Sequence, residues 1–167
     1  MSRGKDMEKK IQEVLTRSID MIYPNRESLE KILNSGKKLR IYMGIDPTAT
    51  YVHLGHATNY IILKRFHELG HKIIVLVGDF TAMIGDPSDK SSARKRLSRE
   101  QVKENLKTFK DQISKIIDFE NKDNPVELRF NSEWLSKMSF EDVVNLAAHF
   151  TVQQMIERDI FQKRIKE

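Results

Sequence analysis

The chain has 167 residues, 39% of them hydrophobic, which is enough for one domain with a real core. It has no cysteine, so disulfides and thiolate metal sites are excluded. Its net charge of +5 suits a partner such as ATP or RNA, but no arginine tract with interleaved aromatics marks a dedicated RNA-binding module.

No apolar run is long enough to span a bilayer, and the N-terminus MSRGKDMEKK lacks the apolar core of a signal peptide. Asp6 and Glu8 also break the acid-poor pattern of a transit peptide. A cytoplasmic protein with no membrane partner is the expectation.

Residues 6–20 place Met7, Ile11, Val14, Leu15 and Ile19 at helical spacing among charges, predicting an amphipathic helix. Tyr23-Pro24-Asn25 breaks it, and residues 26–34 form a second short helix that Ser35-Gly36 ends. In 38–45, Leu39, Ile41, Met43 and Ile45 alternate with Arg40 and Tyr42, the pattern of a strand. The loop Asp46-Pro47-Thr48-Ala49-Thr50 follows, then a helix over about 55–70 and a second strand over 72–78. That strand's continuous apolar run predicts burial on both faces, as in a parallel sheet.

A long loop is expected over 79–98, with two glycine turns and Pro87. One continuous amphipathic helix is predicted from Arg99 to Ile117, with Ser98 and Gln101 spaced as a capping box. A turn at 121–125, a third strand over 126–130, a short helix at 132–137 and helices from Ser139 onward complete the chain. The expected fold is α/β: the first half of a doubly wound, Rossmann-like parallel sheet of the HUP type with flanking helices. Three strands fall short of the roughly five or six of a complete doubly wound domain. The expected division is a helical segment over 1–37, a nucleotide-binding half over 38–131, and the truncated start of a helical insertion over 132–167.

The chemistry concentrates between Ile41 and Arg99. His53-Leu54-Gly55-His56 sits where the first loop becomes a helix, and the free N–H groups of a helix start favour a phosphate. Histidines three apart lie one helical turn from each other, so both reach one phosphate. Gly55 between them leaves room for a base or sugar against the backbone. Asp86, in Gly85-Asp86-Pro87 beyond the second strand, is placed to accept from an ammonium group. It also suits an ordinary turn before proline. Lys90, Arg94, Lys95, Arg96 and Arg99 form a basic patch suited to phosphates, or to a solvated loop. His67 and His71 are spaced i, i+4 but lack a third ligand, and are expected to be surface histidines rather than a metal site. Lys137-Met138-Ser139 is read as a helix N-cap and not as an ATP loop.

On these residues the chain resembles the catalytic domain of bacterial tyrosyl-tRNA synthetases, a family of class I aminoacyl-tRNA synthetases. LRIYMGIDPTATYVHLGH is similar to the family's first strand and HIGH signature. LGHKIIVLVGDFTAMIGDPSDKS is similar to its next strand and glycine-rich loop. FNSEWLSKMSFEDVVNLAAHFTVQQMIERDIFQKR resembles the start of its connecting insertion.

The resemblance implies tyrosine–tRNA ligase chemistry. ATP would activate tyrosine to tyrosyl-adenylate, and the tyrosyl group would pass to tRNA(Tyr), with Mg²⁺ accompanying ATP. His53 and His56 would be catalytic. Gly44, Asp46, Pro47, Thr48, Gly55, Lys90 and Arg94 would bind ATP, and Tyr42, Thr81, Asp86 and Asn131 would bind tyrosine. No metal ligand is implied. The full-length enzyme would be a homodimer. Its KMSKS loop and second tyrosine-recognition helix would lie beyond Glu167, leaving the activity of this chain alone open. Two alternatives compete: a small nucleotidylyltransferase of the HxGH type, and a truncated paralogue that binds tyrosine, nucleotide or RNA without turnover. The first would carry a late Ser-Thr-Arg motif, which the C-terminal helices lack.

Overall fold

The computed structural model describes residues 2–84, 97–157 and 159–166. The chain begins with α1 (Ser2–Thr16) and α2 (Arg26–Asn34). Asn25 caps α2 by accepting from Ser28 N at 2.9 Å. The first βαβ unit follows: β1 (Arg40–Ile45), α3 (Leu54–Glu68) and β2 (Lys72–Val77). After it come α4 (Thr81–Ile84), α5 (Arg99–Leu106), α6 (Phe109–Ser114), β3 (Glu127–Phe130) and α7 (Ser132–Leu135). The described chain ends in α8 (Phe140–Ala147), α9 (Val152–Ile156) and α10 (Asp159–Lys166). Among the described residues no helix is long and apolar enough to cross a membrane.

The three strands form one parallel sheet in the order β1-β2-β3. Tyr42 pairs with Ile74, Gly44 with Leu76, and Leu76 in turn with Arg129. One face carries Ile41, Met43, Ile73, Val75 and Leu128, and packs on Tyr60 and Leu63 of α3 and Ile113 of α6. A second cluster joins Ile11, Val14 and Leu15 of α1 to Leu33 of α2 and to Leu69.

The opposite face carries Arg40, Tyr42 and Gly44, all exposed, beside half-buried Ile74 and Leu76. The expectation that the second strand is buried on both faces is therefore corrected. Ile73, Val75 and Val77 are buried and their neighbours are not, because among the described residues the helices cover one side.

Two further expectations change. The helix predicted over 99–117 is broken into α5 and α6, although Val102, Phe109 and Ile113 keep facing the core. The break falls at Thr108, whose hydroxyl bonds to the Thr50 carbonyl instead of lying along a helix surface. The loop over 79–98 contains the short helix α4. The pair expected as surface histidines is also corrected. His71 is 4% exposed, and its Nδ1 accepts from Leu39 N at 3.3 Å. His67 is half-buried, with Nε2 2.6 Å from the Asn124 carbonyl. Both are drawn inward where the segments entering β1 and β2 meet the loop before β3.

Candidate active site

The site lies at the carboxyl ends of the strands, where a parallel sheet exposes its loops. β1 runs into Asp46–Val52, which leads directly into α3. His53 is the N-cap of α3, with extended backbone (φ −87°, ψ 172°), and its imidazole makes no capping bond. The ring is thus not hydrogen-bonded to the backbone N–H groups that open α3. It stacks instead on His56, with ring centroids 3.7 Å apart and planes 21° from parallel.

Gly55 is what lets the rings meet. A Cβ at Gly55 would stand 3.1 Å from both Cε1 and Nδ1 of His53. The space that sequence reasoning reserved for a base or sugar is bordered by the His53 ring itself. The first turn of α3 carries no carboxylate, so nothing there competes with an anion for the helix N-terminus.

His53 is exposed and His56 half-buried. Burial, and then the adjacent His53 ring, hold His56 below the usual imidazole pKa. At neutral pH it is an uncharged ring that donates from one nitrogen. Its Nδ1 is buried with no hydrogen-bond partner among the described residues.

A second group of expected residues is tied into one network. Asn131 Nδ2 donates to Thr81 Oγ at 3.0 Å, and Thr81 Oγ donates to Asp46 Oδ1 at 2.8 Å. Asn131 Oδ1 accepts from Phe80 N at 2.9 Å, and Asn131 N donates to the Val77 carbonyl. The ends of all three strands are thereby locked together. Gly78, which sequence reasoning did not single out, makes room for this. A Cβ there would overlap Asp46 Oδ1 and lie 2.5 Å from Thr81 Oγ. Asp79, also missed, accepts from Ser132 N at 3.0 Å and from its hydroxyl at 2.6 Å, fixing the start of α7.

The remaining expected residues are distributed as follows. Tyr42 and Gly44 lie side by side on the open face of the sheet, with Tyr42 68% exposed and, among the described residues, no atom within contact of a Cβ at Gly44. Thr48 is exposed, its N–H donating to the Asp46 carbonyl at 2.8 Å. Pro47 is fully buried, and its carbonyl accepts from Asn105 Nδ2 at 2.8 Å, so it shapes the loop from within. Asp86, Lys90 and Arg94 lie outside the described residues, as do Lys95 and Arg96. Among the described residues no three His, Cys, Asp or Glu side chains are grouped to hold a metal.

Comparison with known proteins fits this arrangement. Residues 34–167 match the family described as tRNA synthetases class I (W and Y). A tyrosine–tRNA ligase of Carboxydothermus hydrogenoformans is 48% identical, over 93% of this chain and 38% of the relative. One from Thermotoga maritima is 45% identical, over 92% of this chain and 37% of its own length. The chain thus spans well under half the length of these relatives. Among solved structures, a C-terminally truncated mitochondrial tyrosyl-tRNA synthetase of Aspergillus nidulans superposes with a TM-score of 0.73. It is 23% identical, over 99% of this chain and 53% of that one, a likeness of fold. A tyrosyl-tRNA synthetase from Pyrococcus horikoshii complexed with L-tyrosine gives a TM-score of 0.64 at 25% identity, over 89% of this chain and 38% of that one.

Proposed function

The chain belongs to the class I tRNA synthetases of the W and Y type, and from that premise we propose that it forms the ATP-binding and part of the tyrosine-binding portion of a tyrosine–tRNA ligase. One observation carries the reading: His53 and His56 stack at the start of a helix whose first turn holds no acid.

The chemistry is that implied by the family, and the geometry supplies its phosphate end. The tyrosine carboxylate attacks the α-phosphate of ATP, the bond to the β-phosphate breaks, and pyrophosphate leaves with the displaced electron pair. Charge grows on the α-phosphate oxygens in the transition state. Imidazole N–H groups and the helix N-terminus stabilise it without a covalent intermediate. A neutral His56 suits this work, because a donor held in place needs no change of protonation during the step. The adenylate then passes its tyrosyl group to the terminal ribose of tRNA(Tyr). Mg²⁺ enters on the triphosphate as part of the substrate.

Asp46, Thr48, Gly44, Pro47 and Gly55 form the nucleotide side of this reading, with Lys90 and Arg94 toward the leaving pyrophosphate. Tyr42, Thr81, Asp86 and Asn131 form the tyrosine side. Exposed Tyr42 beside Gly44 supports a ligand lying on the open sheet face. A homodimer of the complete enzyme, working in the cytoplasm, belongs to the same reading. An apolar groove lined by Val143, Leu146, Ala147, Phe150, Gln154 and Met155 supports the pairing. The family match and the ligase relatives favour this function over an HxGH nucleotidylyltransferase.

The test is tyrosine-dependent ATP–pyrophosphate exchange on the 167-residue chain, beside a His53→Ala/His56→Ala variant that reports contaminating host enzyme. Titration with Mg-ATP, followed on the Gly55 amide, runs in parallel. Exchange above the variant's background assigns tyrosine activation to this chain. Mg-ATP binding without exchange assigns it the nucleotide half alone. A folded chain that binds no Mg-ATP overturns the proposal.

A further inference from the structure

Gln112 grips both hydrogen-bonding sides of the segment that leads into His53. Its Oε1 accepts from Val52 N at 2.8 Å, and its Nε2 donates to the Thr50 carbonyl at 2.9 Å and to Thr108 Oγ at 2.8 Å. Thr108 Oγ donates to the same Thr50 carbonyl at 3.0 Å. Both amide hydrogens of Gln112 are thereby used. Its neighbours on α6, Phe109 and Ile113, are buried in the core, so the grip has a rigid backing.

On its other side the His53 backbone is held by α3, its carbonyl accepting from His56 N at 3.0 Å and from Ala57 N at 3.1 Å, so Gln112 supplies the restraint on the loop side. The His53 side chain makes no capping bond, and its ring stacks on His56. A carboxamide accepts from one backbone group and donates to another two residues away in this way. Glutamate lacks the donor, and methionine lacks the donor and offers only a weak sulfur acceptor.

We propose that Gln112 is a positioning residue for the His53/His56 pair: it fixes the backbone from Thr50 to Val52 and thereby the stacked orientation in which the two imidazoles meet a phosphate. The inference rests on the reading of that pair as the phosphate-stabilising group. Among the described residues Gln112 hydrogen-bonds to neither histidine, and it acts through the loop.

The experiment compares the wild-type chain with Gln112→Met and Gln112→Glu. Three quantities are read: urea stability, ring-to-ring nuclear Overhauser effects and imidazole ¹⁵N shifts of His53 and His56, and Mg-ATP affinity. In folded Gln112→Met the ring-to-ring effects vanish, and Mg-ATP affinity drops about tenfold, the scale set by losing net backbone hydrogen bonds. Gln112→Glu keeps the acceptor for Val52 N but loses the donor to Thr50, and falls between. If Gln112→Met does not fold, Gln112→Glu decides. Unchanged ring contacts and imidazole shifts in either folded variant overturn the proposal. Absence of Mg-ATP binding by the wild type would overturn the reading of the site, while the ring contacts would still decide the role of Gln112.

Discussion

Gly78 and Asp46 meet where a side chain on the first would occupy the carboxylate of the second. Asp46 bonds to Thr81, and Thr81 to Asn131, so a single missing Cβ permits a network spanning the ends of three strands. Gly78→Ala is expected to destabilise the fold by about 1–3 kcal/mol, the usual cost of overpacking a filled site. Thr81→Val in the wild-type background removes the shared hydroxyl and leaves the Asn131 donor unpaired, costing about 1–3 kcal/mol. Because both act on one network, the double variant costs less than the sum of the two. Urea unfolding of the three variants checks this. Full additivity would mean that the network is not a unit.

The two buried-side imidazoles give stability a sign with pH. His56 is held low by burial and then by His53, and His71 by burial and then by Lys38. An unfolded histidine titrates near about 6.5. Between the lowered folded values and that point, the unfolded chain binds more protons, so stability rises with pH. The contribution is whole above about 6.5 and is lost as pH falls toward the folded values. Urea midpoints measured across this range should decline on acidification, and His71→Gln should flatten the decline. An identical slope in His71→Gln would remove His71 from the account.

Much of this was legible in the chain itself. The alternation in 38–45 and the apolar run from Lys72 marked two strands, and the glycine between two histidines marked the helix start that matters. The Ser98–Gln101 capping box is present as read, with Gln101 N on Ser98 Oγ at 3.2 Å and Ser98 N on Gln101 Oε1 at 2.8 Å. The break at Thr108 was not legible, because the core-facing residues keep their spacing across it. Gln112 gave no signal either, since its partners are backbone atoms of Thr50 and Val52 some sixty residues away. His71 escaped for the same reason: its burial depends on where Leu39 arrives. Periodicity reports which face a residue takes, not which distant backbone group needs it.

Tyr60 lies in the core one turn beyond His56, fully buried, and burial pushes its hydroxyl pKa up to about 12. The hydroxyl has no hydrogen-bond partner among the described residues. An unpaired buried polar atom costs stability, so its removal releases that cost. Tyr60→Phe should leave the unfolding free energy unchanged or raise it by up to about 1 kcal/mol. Calorimetry or urea unfolding measures this directly. A loss greater than about 1 kcal/mol would mean that the hydroxyl has a partner that stabilises the native state.

Two serine capping boxes, one closed by Gln101 and one by Asp142, should respond differently to the same substitution. Ser98 caps α5, whose Val102 is buried, and Ser139 caps α8, which has no buried residue. Replacing an N-cap serine with alanine costs about 1 kcal/mol of helix stability. For Ser98→Ala that cost should appear in global unfolding, because α5 buries Val102 and packs on α6, whose Ile113 lies in the core against the sheet. For Ser139→Ala it should appear only as faster amide exchange within Phe140–Ala147, since a helix without buried contacts opens on its own. Its urea midpoint should stay within error of wild type. Hydrogen exchange and urea unfolding on both variants separate the cases. An equal global loss in Ser139→Ala would mean that α8 unfolds together with the sheet.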